Sequence, residues 1–134
     1  MLFRSTQSDW VDVPFDPSNF FAQSETKWTV REEHVVTYAY RVDGKTMTLS
    51  FKINYSSILG PPTRELFLRL PAGYRVQRGA ANAVWMASQP MKEMGYVTVH
   101  PGGDVMVVHR TSEASFPNED GCFFLFGQLV LEVQ

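Results

Sequence analysis

The sequence is poor in several features on which common protein functions depend. It has a single cysteine, Cys122, so an intrachain disulfide is excluded. No base lies beside this thiol in the sequence, and we expect it to be a small buried hydrophobe. Lysines and arginines occur singly, and the formal net charge is -2 at pH 7. Because phosphate binding relies on clustered basic residues, these features argue against a nucleic-acid partner.

Long apolar segments are also missing. No run approaches the roughly 20 apolar residues that a membrane-spanning helix needs. The first residues, "MLFRSTQSDW", lack the hydrophobic region of a secretory signal. We therefore predict a protein made in the cytoplasm without a signal peptide and without membrane insertion.

Helical periodicity is absent, and strict alternation takes its place. In "TYAYRVDGKTMTLSFKINY", residues 37–55, large apolar residues recur at every second position on both sides of Asp43-Gly44. A two-residue turn at Asp43-Gly44 predicts a hairpin that pairs Val42 with Lys45. The remaining predicted pairs place one apolar face toward a core: Tyr40 with Met47, Tyr38 with Leu49, Val36 with Phe51, and His34 with Ile53.

A second hairpin is predicted in "GYVTVHPGGDVMVVHR", with its turn at "PGGD". Pairing His100 with Val105 sets Val97 opposite Val108 and Val99 opposite Met106, which gives a second apolar face. The reverse face, which includes Tyr96 and His109, is mixed. We expect that face to be partly exposed or covered by another chain.

Further strands complete an all-β pattern. Alternation at Leu66, Leu68 and Leu70 predicts one more strand, whereas residues 75–90 are compatible with a strand or one helical turn. About seven to nine short strands separated by turns indicate an antiparallel, jelly-roll-like β-sandwich. We assign residues 26–134 to this domain and residues 1–25 to an N-terminal arm with a short strand.

Two sets of aromatic residues are candidates for a subunit interface. The arm carries Trp10, Phe15 and Phe20 between prolines, and these rings either pin the arm to its own core or reach a neighbouring subunit. The C-terminal run "GCFFLFGQLVLEV" is apolar on both faces of a strand. One face, with Phe124 and Phe126, should then contact something besides the domain's own core.

Candidate ligand-binding residues are the aromatic residues Trp28, Tyr74, Trp85 and Tyr96. Flat rings of this kind pack against the apolar face of a sugar, although large rings are as commonly part of a core. No nucleophile motif or phosphate loop is present, and no residue pattern requires a cofactor. We predict no catalytic residues and no metal site.

The histidines offer one alternative. In the predicted hairpin His100 and His109 lie on one face about 13 Å apart, too far to share a metal within one chain. One histidine from each of three chains could bind a metal on a threefold axis.

The stretch "KWTVREEHVVTYAYRVDGKTMTLSFKINYSSILGPPTRELFLRLPAGY" and the closing "GQLVLEV" resemble a known kind of domain. They are similar to the C-terminal β-sandwich (head) domains of phage and prophage tail-fibre proteins and of related uncharacterised phage-encoded proteins. The resemblance covers roughly residues 26–74 and 121–133. It implies a homotrimeric jelly-roll head that caps a fibre or binds a host-surface glycan or protein receptor, located in the virion.

Three functions follow as hypotheses. The first is a non-enzymatic, trimeric virion-type structural or receptor-binding module. The second is a carbohydrate-binding module, which would present exposed Trp or Tyr on one surface. The third is a metal-dependent jelly-roll enzyme, which requires His34, His100 or His109 to converge with carboxylates.

Overall fold

The computed structural model describes residues 10–89 and 92–134, and these residues form ten β-strands. Two single 3₁₀ turns, Pro17–Asn19 and Glu32–His34, precede β2 and β4. The strands are β1 Val11–Asp12, β2 Phe20–Ala22, β3 Lys27–Thr29, β4 Val35–Asp43, β5 Thr46–Leu59, β6 Leu66–Arg69, β7 Ala80–Ala87, β8 Lys92–Val99, β9 Val105–Arg110 and β10 Glu119–Glu132.

All ten strands belong to one antiparallel sheet that curls over on itself. Nine follow in the order β1-β4-β5-β10-β7-β8-β9-β6-β2, and β3 pairs with the far end of β5. The predicted all-β, sandwich-like class is confirmed. In the segment whose conformation the sequence left open, Ala80–Ala87 form a strand, β7; the last residue of that segment, 90, lies outside the described residues. Within residues 10–89 and 92–134, no helix has the length and apolar character of a membrane span.

The two longest strands, β5 and β10, lie side by side at the centre of the sheet. Their register pairs Leu49 with Leu129 and Met47 with Leu131. Alternate residues on both strands face inward and are fully buried, as period-two alternation requires. They form one core with inward residues of β6, β8 and β9: Met47, Leu49, Phe51, Ile53, Leu66, Leu68, Val97, Met106, Val108, Leu125, Leu129 and Leu131.

The first hairpin has the predicted inner face, but its predicted register is wrong by two residues. The turn is Gly44-Lys45, and Val42 pairs with Met47 rather than with Lys45. Gly44 alone has positive φ (63°) at this turn, which fits a type II′ turn with glycine in its first central position. A shift of two residues leaves every side chain on its original face, so Tyr38 and Met47 still share one.

Further from the turn, the expected pairing fails because β4 contains a bulge. Between Val35 and Thr37 the register shifts, and Val35 rather than His34 lies opposite Ile53. The extra residue, Val36, is 57% exposed instead of facing Phe51. A bulge of this kind reverses the facing of the residues beyond it.

The second hairpin has its predicted register where β8 and β9 pair, up to Thr98 opposite Val107. Tyr96 pairs with His109 and Val97 with Val108. Val97, Val99, Met106 and Val108 are all buried. Cys122, expected in the core, is only half-buried, and its Sγ lies 3.4 Å from the carbonyl oxygen of Asp120.

The N-terminal arm is part of the same sheet. β1 pairs with β4, and β2 pairs with β6 at the opposite end of the strand order. Phe20 of β2 packs edge-on against Trp28 of β3, with ring centroids 5.5 Å apart. Across the core, the Tyr38 hydroxyl donates a hydrogen bond to the carbonyl of Arg69. These contacts join the two ends of the curled sheet.

Replacing Ile53 and Val36 separately tests the bulge. We expect Ile53→Ala to lower the free energy of unfolding by about 3 kcal/mol, because it empties a fully buried position. We expect Val36→Ala to cost less than about 1 kcal/mol, because that side chain is exposed. Chemical denaturation measures both. Equal losses would mean that Val36 faces the core, as the uninterrupted alternation predicted.

Candidate functional site

The outward faces of β7 and β10 carry no charged residue over four consecutive outward positions on each strand. Trp85 pairs with Phe126, and Ala87 pairs with Phe124. Solvent-facing sides of antiparallel sheets are normally polar, so an uncharged and partly aromatic side is unusual. The outward residues are Ala81, Ala83, Trp85 and Ala87 on β7, and Phe124, Phe126, Gln128 and Val130 on β10.

Both neighbouring strands place a residue beside this surface, an apolar one on β8 and a charged one on β5. On β8, Met94 pairs with Trp85 and is 46% exposed. On β5, Lys52 pairs with Phe126, and its Nζ lies 6.0 Å from the ring centroid. We call the surface formed by Tyr55, Trp85, Met94, Phe124, Phe126 and Val130 the outer aromatic face.

Tyr55 reaches this face through an irregularity in β5. Its φ is 51°, a left-handed conformation that bulky residues rarely adopt, and its side chain is 54% exposed. The ring packs against Phe124, with centroids 4.8 Å apart, and against His34 at 5.5 Å. Alternation alone would have placed Tyr55 in the core.

The same irregularity turns Ser56 inward. The pairing of β5 with β10 shifts between Phe123–Ser56 and Leu125–Ile53. Ser56 Oγ accepts a hydrogen bond from Trp28 Nε1 and donates one to the Phe123 carbonyl, each at 3.0 Å. The buried indole N–H therefore has a partner, which offsets part of the backbone strain at Tyr55.

The four predicted ligand-binding residues do not converge. Trp28 is only 3% exposed, so it has no ring face for a ligand, and the structure removes it from this set. Trp85 lies on the outer aromatic face. Tyr74 is half-buried against Tyr40 in a separate cleft, with centroids 5.3 Å apart. Tyr96 lies in another cleft, beside His109.

The predicted interface residues also divide into two groups. Phe124 and Phe126 face outward, as a subunit contact requires. Phe20 is a core residue, 4% exposed, so its predicted interface role is wrong. Phe15 stacks on Phe20, and the Arg41 guanidinium lies 5.3 Å from the Trp10 ring centroid. The arm's aromatic residues thus contact their own chain.

A polar row crosses the sheet beside the outer aromatic face. Its members could not be grouped from the sequence, because they come from β8, β9 and the segments beside β2 and β6. Gln23 Nε2 donates to Glu65 Oε1 at 2.9 Å, and Glu65 Oε2 lies 3.8 Å from His109 Nδ1. His109 stacks on Tyr96 with centroids 4.7 Å apart, and its Nε2 is 3.0 Å from Thr98 Oγ1. Only the Tyr96–His109 pair was visible in the sequence pattern.

A partly buried ion pair closes one side of this cleft. Arg110 binds Glu93 through Nη2 at 2.7 Å and Nε at 3.2 Å, and it also donates to the Ser115 carbonyl. The hydrogen bonds from Arg110 lower the pKa of the Glu93 carboxyl from its ordinary value.

The histidines lie in different surroundings. His34 packs on Tyr55, and His109 on Tyr96, while His100 is exposed beside the second hairpin turn. Among residues 10–89 and 92–134, no three His, Cys, Asp or Glu side chains are grouped to hold a metal ion. A group of three or more such ligands within one chain is therefore not found among the described residues, and a metal bound by one histidine from each of three chains stays a prediction.

The fold and these surfaces define an all-β, sandwich-like domain with an uncharged aromatic sheet face and a polar cleft beside it. Comparison of the chain with protein families, with curated proteins and with solved structures finds no match in any of the three.

The strained position of Tyr55 can be tested by a substitution that tolerates positive φ. We expect Tyr55→Asn to change the free energy of unfolding by less than about 1 kcal/mol, because relief of strain offsets the lost ring contacts. The control Tyr38→Asn removes a buried ring and should cost about 3 kcal/mol or more. Thermal and chemical denaturation measure both variants. Equal losses of stability for Tyr55→Asn and Tyr38→Asn would make Tyr55 a structural residue.

The Glu93–Arg110 pair predicts a pH effect. Because the folded-state pKa of Glu93 lies below the ordinary 4.5, its stabilisation is present above about pH 4.5 and is lost as the pH falls further. Glu93→Gln should therefore lose less stability than the wild type between about pH 6 and about pH 3. Glu132→Gln, in the exposed pair with Arg78, is the control. Parallel pH curves for wild type and Glu93→Gln would contradict the assignment.

Proposed function

We propose that the protein is a non-enzymatic assembly module whose copies associate through the outer aromatic face. The observation that carries this proposal is the uncharged outward side of β7 and β10, extended by Met94 and Tyr55. Burial of such a surface is favourable, because it removes apolar area from water, and the outward residues 81–87 of β7 and 124–130 of β10 carry no charge that would be desolvated. Aromatic and methionine side chains are also the residues enriched at protein interfaces.

The shape of this face favours a second copy as its occupant. Two of the large rings lie beside a position occupied by alanine: Phe124 is paired with Ala87, and Trp85 follows Ala83 two residues along β7. Large and small side chains are thus interspersed on this surface. In a closed ring of three copies, one part of this face would pack against a different part of the same face on the next copy.

The stoichiometry and biological setting rest on the sequence resemblance. Tail-fibre head domains, which residues 26–74 and 121–133 resemble, imply a homotrimer, a place in the virion and a host-surface receptor. A structural or receptor-binding role of this kind is compatible with a module that assembles through a sheet face. The resemblance supports this part of the proposal, and the outer aromatic face supports the association itself.

Light scattering coupled to gel filtration tests the association. We expect the wild type to have about three times the 15.2 kDa mass of one chain. Phe126→Asp should shift the mass to that of one chain, because association would bury an added carboxylate. The monomer should tolerate this change, since Lys52 lies beside the ring and can pair with the new charge.

Val11→Asp is the matched control for this experiment. Val11 is 47% exposed, lies on the edge strand β1 and is outside the outer aromatic face. It should leave the mass unchanged. A monomeric wild type at micromolar concentration, or equal dissociation by both substitutions, would contradict the proposal.

A further inference from the structure

A cleft of about 530 Å³ lies where the N-terminal arm meets the segment that follows β6. It is lined by residues 13–16 of the arm, by residues 69–74, and by Asp104, which comes just before β9. This volume is within the range of ligand pockets and suits a ligand of the size of a dipeptide. No residue of the outer aromatic face lines the cleft, so its ligand does not depend on the assembly proposed above.

Two aromatic rings form part of the lining of this cleft. Phe15 and Tyr74 both line it, together with two prolines. The ring that packs on each of them lies outside the lining: Phe15 stacks on Phe20 with centroids 6.4 Å apart, and Tyr74 contacts Tyr40 edge-on at 5.3 Å. The contacts that hold the two rings therefore come from outside the cleft, and an apolar surface is left within it.

The charged part of the lining is acidic. Two carboxylates, of Asp16 and Asp104, line the cleft with one guanidinium group, of Arg69. The Arg69 guanidinium lies 4.7 Å from the Phe21 ring centroid, and its Nε donates to the Ser18 carbonyl at 3.3 Å. Within the described residues it forms no ion pair with either carboxylate. The lining thus has one negative charge in excess, and its one cation already has other contacts.

Both carboxylates keep oxygens that are free to accept hydrogen bonds. Asp16 Oδ1 accepts from the Ser18 hydroxyl at 2.8 Å and from the Ser18 N–H at 2.9 Å, whereas Oδ2 accepts none from the described residues. The hydrogen bonds from Ser18 lower the pKa of the Asp16 carboxyl and hold it as an anion. The Asp104 carboxylate has no partner among the described residues, while its backbone carbonyl accepts from Leu70 N at 2.8 Å and ties it to the segment after β6.

We propose that this cleft binds an arginine side chain and an adjoining apolar side chain, presented by a peptide segment of another protein. The excess negative charge and the free carboxylate oxygens call for a cationic hydrogen-bond donor, and the rings call for an apolar neighbour. A guanidinium group fits because it is permanently charged, presents several N–H donors to carboxylates and packs on aromatic rings. Asp16 and Asp104 are assigned to bind the guanidinium group, and Phe15 and Tyr74 to contact the apolar side chain.

Chemical-shift mapping on the ¹⁵N-labelled full chain tests the proposal. The probes are acetylated, amidated dipeptides with arginine second and leucine, phenylalanine, tyrosine or tryptophan first. We expect at least one of them to shift the amides of residues 15–16, 72–74 and 104 with a Kd of about 5 mM or lower, a modest affinity because water and salt screen exposed carboxylates. Replacing the arginine of that probe by citrulline, its neutral isostere, should weaken binding about tenfold or more.

A double variant places the binding in this cleft. Asp16→Asn combined with Asp104→Asn should weaken binding of the same dipeptide about tenfold, because it removes both negative charges. Asparagine at position 16 still caps the turn Pro17–Asn19, so the fold is retained. Asp43→Asn, an equivalent change at the first hairpin turn and outside the lining, is the control and should bind as the wild type does.

A variant that blocks the cleft gives a second test. Ala72 lines the cleft and is exposed, so Ala72→Arg adds a competing cation there without disturbing the core and should abolish binding. An unchanged amide spectrum outside the cleft establishes that each variant is folded. No cleft shift with any of the four dipeptides would overturn the proposal. Equal affinity for the arginine and citrulline probes, or undiminished binding to the double variant or to Ala72→Arg, would overturn it as well.

Discussion

The antiparallel pairing of β5 with β10 is the interaction on which the rest of the structure depends. It joins the two longest strands along most of their length and turns alternate residues of both into one core. β4 and β3 extend this pair from the side of β5, and β7 continues it from the side of β10. Strands β8, β9, β6 and β2 follow β7 in that order, and β2 contacts β3. The curled sheet thus has its centre at these two strands.

A central strand normally needs only one apolar side when the other faces water, and β10 has two. Its inward residues complete the core, and its outward residues, with those of β7, leave an uncharged aromatic surface. The left-handed Tyr55 enlarges that surface by turning a ring outward that alternation would have buried. Its strain is tolerated because Ser56 then satisfies the buried indole of Trp28. The irregularity of β5 at Tyr55 therefore changes both the core, through Ser56, and the outer surface, through the Tyr55 ring.

Much of the fold could be predicted because it depends on local alternation. The inner faces of both hairpins follow from period-two patterns, and they survive a two-residue error in the first turn. The bulges at Val36 and Tyr55 could not be predicted, because they depend on tertiary contacts rather than on neighbouring residues in the sequence. The polar cleft could not be predicted either, since Gln23, Glu65 and His109 are distant in sequence. The outward position of Phe124 and Phe126 could be predicted, because both sides of their strand are apolar.

Quenching of Trp85 fluorescence by acrylamide as the protein is diluted tests most directly whether the outer aromatic face is covered in solution. Trp10→Phe leaves only Trp85 and the buried Trp28, so changes in quenching report on Trp85. The account predicts weak quenching when copies are associated and strong quenching once dilution separates them. Strong quenching that is the same at every concentration would show the face open to solvent and would contradict the assembly role.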